Sequence, residues 1–154
     1  MQLTMNIMHK QHGFSMLEVL VTLVIVSLGL LGIAGIIANS LKVNQGAQIR
    51  SQASWLANDI IDRMRANRMM AEGGAYTLAS CAAAPAGGTV ANDDLRQWCA
   101  AVAAALPTGT GTVAVVNTVV NTVVNTVVTV TVQWDDTRAV GGIAAEQFVV
   151  GTRL

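Results

Sequence analysis

Twenty consecutive residues, Val19 to Ala38, carry no charge and are rich in Val, Leu and Ile. That is the length an α-helix needs to cross the hydrocarbon of a bilayer. A carboxylate, Glu18, stands one residue before the run. An acidic group inside hydrocarbon costs on the order of 3 kcal/mol by insertion scales. Glu18 therefore either sits solvated at the headgroup level or has a partner.

The neighbouring residues give the second reading its content. Gly13-Phe14-Ser15-Met16-Leu17-Glu18-Val19-Leu20-Val21 resembles the class III signal of type IV pilins and pseudopilins. In that family a dedicated prepilin peptidase cuts after the Gly and methylates the new N-terminal Phe. The resemblance implies cleavage between Gly13 and Phe14, a methylated Phe14, and Glu18 as the fifth residue of the mature chain. It also implies an assembly role for Glu18, which would meet the N-terminal ammonium of a neighbouring subunit. Two buried opposite charges offset part of each other's desolvation. The motif is specific, because Gly, aromatic, Glu and the apolar run must all fall in register.

A leader of residues 1–13 is processed away and is not read as fold. Met1, Met5 and Met8 are all possible starts. Charge counting orients the span weakly, with Lys10 before it and Lys42 and Arg50 after it. The pilin resemblance implies a leader in the cytoplasm, a single pass through the inner membrane and a head in the periplasm. Both histidines, His9 and His12, lie in the leader. The mature chain thus lacks the commonest general base and metal ligand, and it has no phosphate-cradling Gly loop and no nucleophile elbow. The sequence points away from an enzyme and calls for no cofactor or metal.

Removing 13 residues from 154 leaves 141, enough for one small domain and a long helix. Without Lys10 the nine basic residues become eight, against nine acidic ones, a formal charge of −1. No general attraction to nucleic acid follows.

Within the span (14–38), Gly29, Gly32 and Gly35 recur every three residues. Small residues let membrane helices approach closely, and each Gly weakens the helix by roughly 1 kcal/mol relative to Ala. Close packing, a soft section that unwinds on leaving the bilayer, and simple commonness of Gly in such helices are all open. From 39 to 70 only Gly46 interrupts a helical pattern. Ile49, Ala53, Leu56, Ile60, Met64 and Asn67 step by four and three as one face of an amphipathic continuation. The opposite face carries Arg50, Asp59, Asp62, Arg63, Arg65 and Arg68, with Asp59 and Arg63 as an i,i+4 pair in the favourable order. Arg63, Arg65 and Arg68 read as a solvated face in preference to a basic patch. At 1.5 Å per residue the helix from Phe14 to Met70 would be about 85 Å long.

The head is expected over 71–154. Glu72-Gly73-Gly74 stops the helix, and a Gly, Ala, Ser and Pro loop runs to Gly88. Asn92 reads as the N-cap of a second helix over 92–106, with Asp93 and Asp94 against its positive end. Leu95, Trp98, Val102 and Leu106 form its apolar stripe, and Pro107 ends it. Cys81 and Cys99 most simply form one disulfide, the alternative being two reduced thiols. A zinc site would need ligands the mature chain lacks.

Strands are expected within 112–154. Asn-Thr-Val-Val occurs three times in tandem from Asn117, and the segment is β by propensity. A single strand from Thr112 to Trp134 would be about 75 Å long, so the chain should fold back within the repeat, with the Asn-Thr steps as the turn. An exposed copy would invite edge pairing. Asp135-Asp136 and Gly141-Gly142 bracket a loop, and Phe148, Val150, Thr152 and Leu154 alternate with Gln147, Val149, Gly151 and Arg153 as a closing strand.

The expected fold is α+β: a long N-terminal helix packed on a small antiparallel sheet, with a short second helix in the connecting region. Four stretches together resemble the minor pilins of the PilV type. They are the Gly13-Phe14 junction, Ser54 to Asn67, the Trp98 helix ending in Leu106-Pro107, and Thr129 to Trp134. The resemblance implies a non-catalytic subunit that primes or modifies type IV pilus assembly. Its implied partners are prepilin peptidase, other minor pilins, the major pilin and the inner membrane. A minor pseudopilin of type II secretion and a membrane-anchored adhesion module are the alternatives.

Overall fold

The computed structural model of the chain describes residues 13–120 and 123–154. His9, Lys10, His12 and the rest of the leader up to residue 12 lie outside the described residues. So do Asn121 and Thr122. The chain divides into two compact units, one ending at Asn39 and one running from Ser40 to Leu154, and each is described by itself.

The N-terminal unit is helical from Met16, the start of α1 (Met16–Ala66). Its large apolar side chains are exposed, from Phe14 at 84% to Ile37 at 55%. Among the described residues this is the one helix long and apolar enough to cross a membrane. The helix runs unbroken through Gly29, Gly32 and Gly35. The two hydroxyls of the apolar run are satisfied internally: Thr22 donates to the carbonyls of Glu18 and Val19, and Ser27 to that of Val24. Such back-bonding removes the cost of a bare hydroxyl in hydrocarbon.

In the second unit, α1 buries Ala53, Ala57, Ile60, Ile61 and Met64, the face set by the four-and-three spacing. The helix ends at Ala66 and restarts as α2 (Arg68–Glu72), so the break comes before the expected Met70. The cause is Asn67. Its backbone leaves the helical region at φ −119, ψ 47, and its side-chain amide donates to the Tyr76 hydroxyl at 3.2 Å.

The connecting segment contains a 3-10 turn (Cys81–Ala83) and leads to α3 (Val90–Ala105). This helix starts two residues before the expected Asn92, and Asn92 is not its cap. Thr89 has extended backbone, and its hydroxyl accepts from Asn92 N at 3.2 Å, which satisfies an otherwise orphaned amide. Asp93 stays in the first turn and pairs with Arg96. Asp94 turns inward instead. Leu95, Trp98, Val102 and Leu106 are all buried, as their spacing predicts.

Three antiparallel strands follow in the order β1 (Thr110–Val120), β2 (Val123–Trp134), β3 (Glu146–Arg153). The repeat folds back on itself, pairing Asn117 with Thr126 and Val120 with Val123. The sequence assigns the reversal to the Asn-Thr steps of the repeat; two of these, Asn117-Thr118 and Asn125-Thr126, are paired within the strands, and the third, Asn121-Thr122, lies outside the described residues. On β2 one face is buried from Thr126 through Val128, Val130 and Val132 to Trp134, the period-two pattern of a half-buried strand. Leu78 adds a bridge to the outer edge of β1, exchanging hydrogen bonds of 2.8 and 2.9 Å with Val113. This covers part of an edge otherwise open to pairing.

Trp98 is the pivot of the core. Its indole Nε1 donates to the Leu56 carbonyl at 2.8 Å, tying α3 to α1. Its ring lies on Gly111 of β1, where any Cβ would overlap it. A disulfide between Cys81 and Cys99 joins the 3-10 turn to α3, with Cα atoms 5.3 Å apart. Closing a loop of 18 residues should contribute about 3 kcal/mol. We expect Cys81→Ser with Cys99→Ser to lower the urea midpoint of the head accordingly, and dithiothreitol to do the same to the unmodified chain. Equal midpoints in both states would mean that the bridge contributes nothing.

Candidate assembly site

The first turn of α1 gathers the residues singled out in the N-terminal motif. Ser15 caps the helix: its hydroxyl accepts from Leu17 N at 3.3 Å and its carbonyl from Glu18 N at 3.0 Å. This cap is legible in the sequence as Ser15-x-x-Glu18, a helix-start pattern, which the sequence reading did not use. Glu18 is the third residue of the helix and the acidic group of its first turn. A carboxylate there is favoured by the partial positive charge of the helix end, by about 0.3–1 kcal/mol.

Gly13, Phe14 and Glu18 are all exposed. Among the described residues no hydrogen bond or ion pair occupies the Glu18 carboxylate. It stands beside the apolar surface of Leu17, Leu20 and Val21, exposed at 71%, 64% and 49%. Such a surface is suited to lipid or to the apolar helices of other subunits. A carboxylate with free lone pairs next to hydrocarbon offers an acceptor to any cation delivered at the same depth.

The head's ionic groups are largely consumed within it. Arg63 donates to Asp59 at 3.0 Å and to Asp94 and Gln97 at 3.2 Å each. Asp94 accepts in turn from the hydroxyl of fully buried Tyr76 at 2.6 Å. Burial first, then this hydrogen bond, pushes the Tyr76 pKa up to about 12, so the phenol remains the neutral donor. Arg65 pairs with Asp62, and Arg68 with Glu72. Arg65 also reaches the Thr152 hydroxyl, and Arg68 the Leu154 carbonyl at 3.1 Å. The three arginines are ion-paired, and Arg65 and Arg68 hold the end of β3, a role their spacing did not announce.

The model of the prokaryotic N-terminal methylation motif matches residues 8–34. The match covers Gly13, Phe14, Glu18 and most of the apolar run, and marks the chain as type IV pilin-like or pseudopilin-like there. The motif implies prepilin-peptidase processing and assembly into a pilus or pseudopilus. No curated protein and no solved structure matches the chain.

Proposed function

We propose that the chain is a minor pilin of the PilV type, a structural subunit that primes or modifies type IV pilus assembly and catalyses no reaction. The observation that carries this reading is the methylation motif over residues 8–34, within which an exposed carboxylate, unpaired among the described residues, stands at the first turn of an apolar helix. The α+β head, with α1 and α3 packed on an antiparallel sheet, supports it. Its partners in this reading are prepilin peptidase, the other minor pilins and the major pilin. The helix rests in the inner membrane, the head lies in the periplasm, and the subunit then enters the pilus.

Cleavage between Gly13 and Phe14 is the first expected result. The intact mass of the membrane-extracted protein should begin at Phe14 and carry one added methyl. An unprocessed N-terminus in cells with active prepilin peptidase would sink the assignment. Function itself is tested by co-purification: the protein should appear in sheared pili, at far lower abundance than the major pilin. Recovery with secretion components and absence from pili would make it a pseudopilin.

A further inference from the structure

Among the described residues, Asp136 is the one charged side chain of the head whose carboxylate is buried without a hydrogen bond. Its side chain is 1% exposed, and neither carboxylate oxygen has a hydrogen-bond partner. The backbone fixes it there, since Asp136 N donates to the Ile143 carbonyl and the Asp136 carbonyl accepts from Ala139 N, both at 2.9 Å. The loop also presses against α1 at Gly46, where a Cβ would stand 3.0 Å from that of Ala139.

Its one ion pair among the described residues is long and shared. Arg50 gives its 3.0 Å hydrogen bond to Glu146 and stands 3.7 Å from Asp136. One guanidinium thus faces two carboxylates, a local charge of −1. Among the described residues neither Lys42 nor Arg138 forms an ion pair with Asp136. Beside the three charged groups lies an open cavity of about 410 Å³ that Arg50 and Asp136 line together with Val43, Ala47, Ala139 and Val140. A buried carboxylate is tolerated only when it is paired, and the pocket supplies the room for a pair.

We infer that this cavity receives a lysine or arginine side chain from a neighbouring subunit, its cationic head on Asp136 and its methylene stem along Val43, Ala47 and Val140. The inference rests on the reading of the chain as an assembling subunit. The walls select the class of cation. Long basic side chains bury an apolar stem and present a charged tip, whereas a bare metal ion needs several oxygen ligands. Among the described residues no cluster of three or more His, Cys, Asp or Glu is placed to hold one.

The test begins with the full-length protein in detergent, its head unfolding followed by the fluorescence of buried Trp98 and Trp134. Saturating n-butylammonium or n-butylguanidinium should raise the thermal midpoint by about 5 °C over matched KCl. Asp136→Asn should abolish the rise. So should Ala47→Leu, which fills the cavity and leaves the carboxylate in place. No rise in the unmodified protein, a rise that survives both substitutions, or an equal rise with CaCl2 overturns the proposal. This arm reads the cavity alone, so its failure leaves the pilin reading untouched. A photo-crosslinking residue at position 140 then tests the occupant in cells. It should trap another pilus subunit, and Asp136→Asn should cut the yield at least several-fold. Probe binding without that adduct would mean that the cation does not come from a subunit.

Discussion

Trp98→Ala should destabilise the head by about 3–5 kcal/mol, the range for truncating a buried aromatic residue. The ring is fully buried and bridges all three parts of the core: α3 carries it, the Leu56 carbonyl of α1 accepts its Nε1, and Gly111 of β1 lies beneath it. Collapse cannot fill the space, because the sheet below is held by the pairing of β2 to both of its neighbours. Domains of this size are stable by only about 5–15 kcal/mol, so the variant should unfold at a much lower urea concentration. Trp55, 80% exposed on α1, supplies the control. Trp55→Ala should stay within about 0.5 kcal/mol of the unmodified chain. Gly111→Ala presses a methyl into the same indole and should cost about 1–3 kcal/mol. Combined with Trp98→Ala, most of that cost should vanish, since the clash has lost its partner. Equal urea midpoints for Trp98→Ala and Trp55→Ala would mean that the bridge is not what holds α3 to the sheet.

The elements readable in the sequence are those whose pattern and burial coincide. The period of Leu95, Trp98, Val102 and Leu106 reports the buried face of α3, and alternation along Val128, Val130, Val132 and Trp134 reports that of β2. The readings that failed depend on a partner distant in sequence. Asn67 looks like another position on a helix face until Tyr76, nine residues on, draws its side chain away. Asp94 looks like a helix-end acid, but Arg63 and Tyr76 draw it inward, and Thr89 takes over the capping. The repeat is the extreme case. A shift of four residues restores the same Asn-Thr-Val-Val pattern, so local chemistry allows a turn at any copy. The register comes from outside the repeat, through Leu78 on Val113, Trp98 on Gly111, and β3 on β2. At the candidate assembly site, the motif match falls on Gly13, Phe14 and Glu18 because their spacing is the signal. Asp136 was not legible, since Asp135-Asp136 reads only as one end of a loop closed by Gly141-Gly142, and the packing of that loop against α1 is what buries it.

Glu18 is where an assembly mechanism can be tested separately from the motif match. Glu18→Ala should leave membrane insertion intact or improved, because a charge is removed beside the apolar run. It should also leave the helix start intact. Ser15 caps that end without help from the carboxylate, and the lost interaction with the helix end is about 0.3–1 kcal/mol. Assembly should suffer far more. If Glu18 pairs with the Phe14 ammonium of a neighbour, the substitution sends that ammonium into the filament core unpaired, at a cost of about 3–5 kcal/mol. That is a hundredfold or greater change in incorporation, at about 1.4 kcal/mol per factor of ten. Glu18→Gln keeps the shape and loses the charge, so it should behave like the Ala variant. The quantity to measure is the ratio of this protein in sheared pili to that in membranes, for the unmodified chain and both variants, once each is confirmed as cleaved. If Gln restores the ratio, the carboxylate acts through shape and hydrogen bonding instead of charge. If neither variant changes it, Glu18 is an interfacial residue solvated at the headgroups, and the ammonium finds its counter-charge elsewhere.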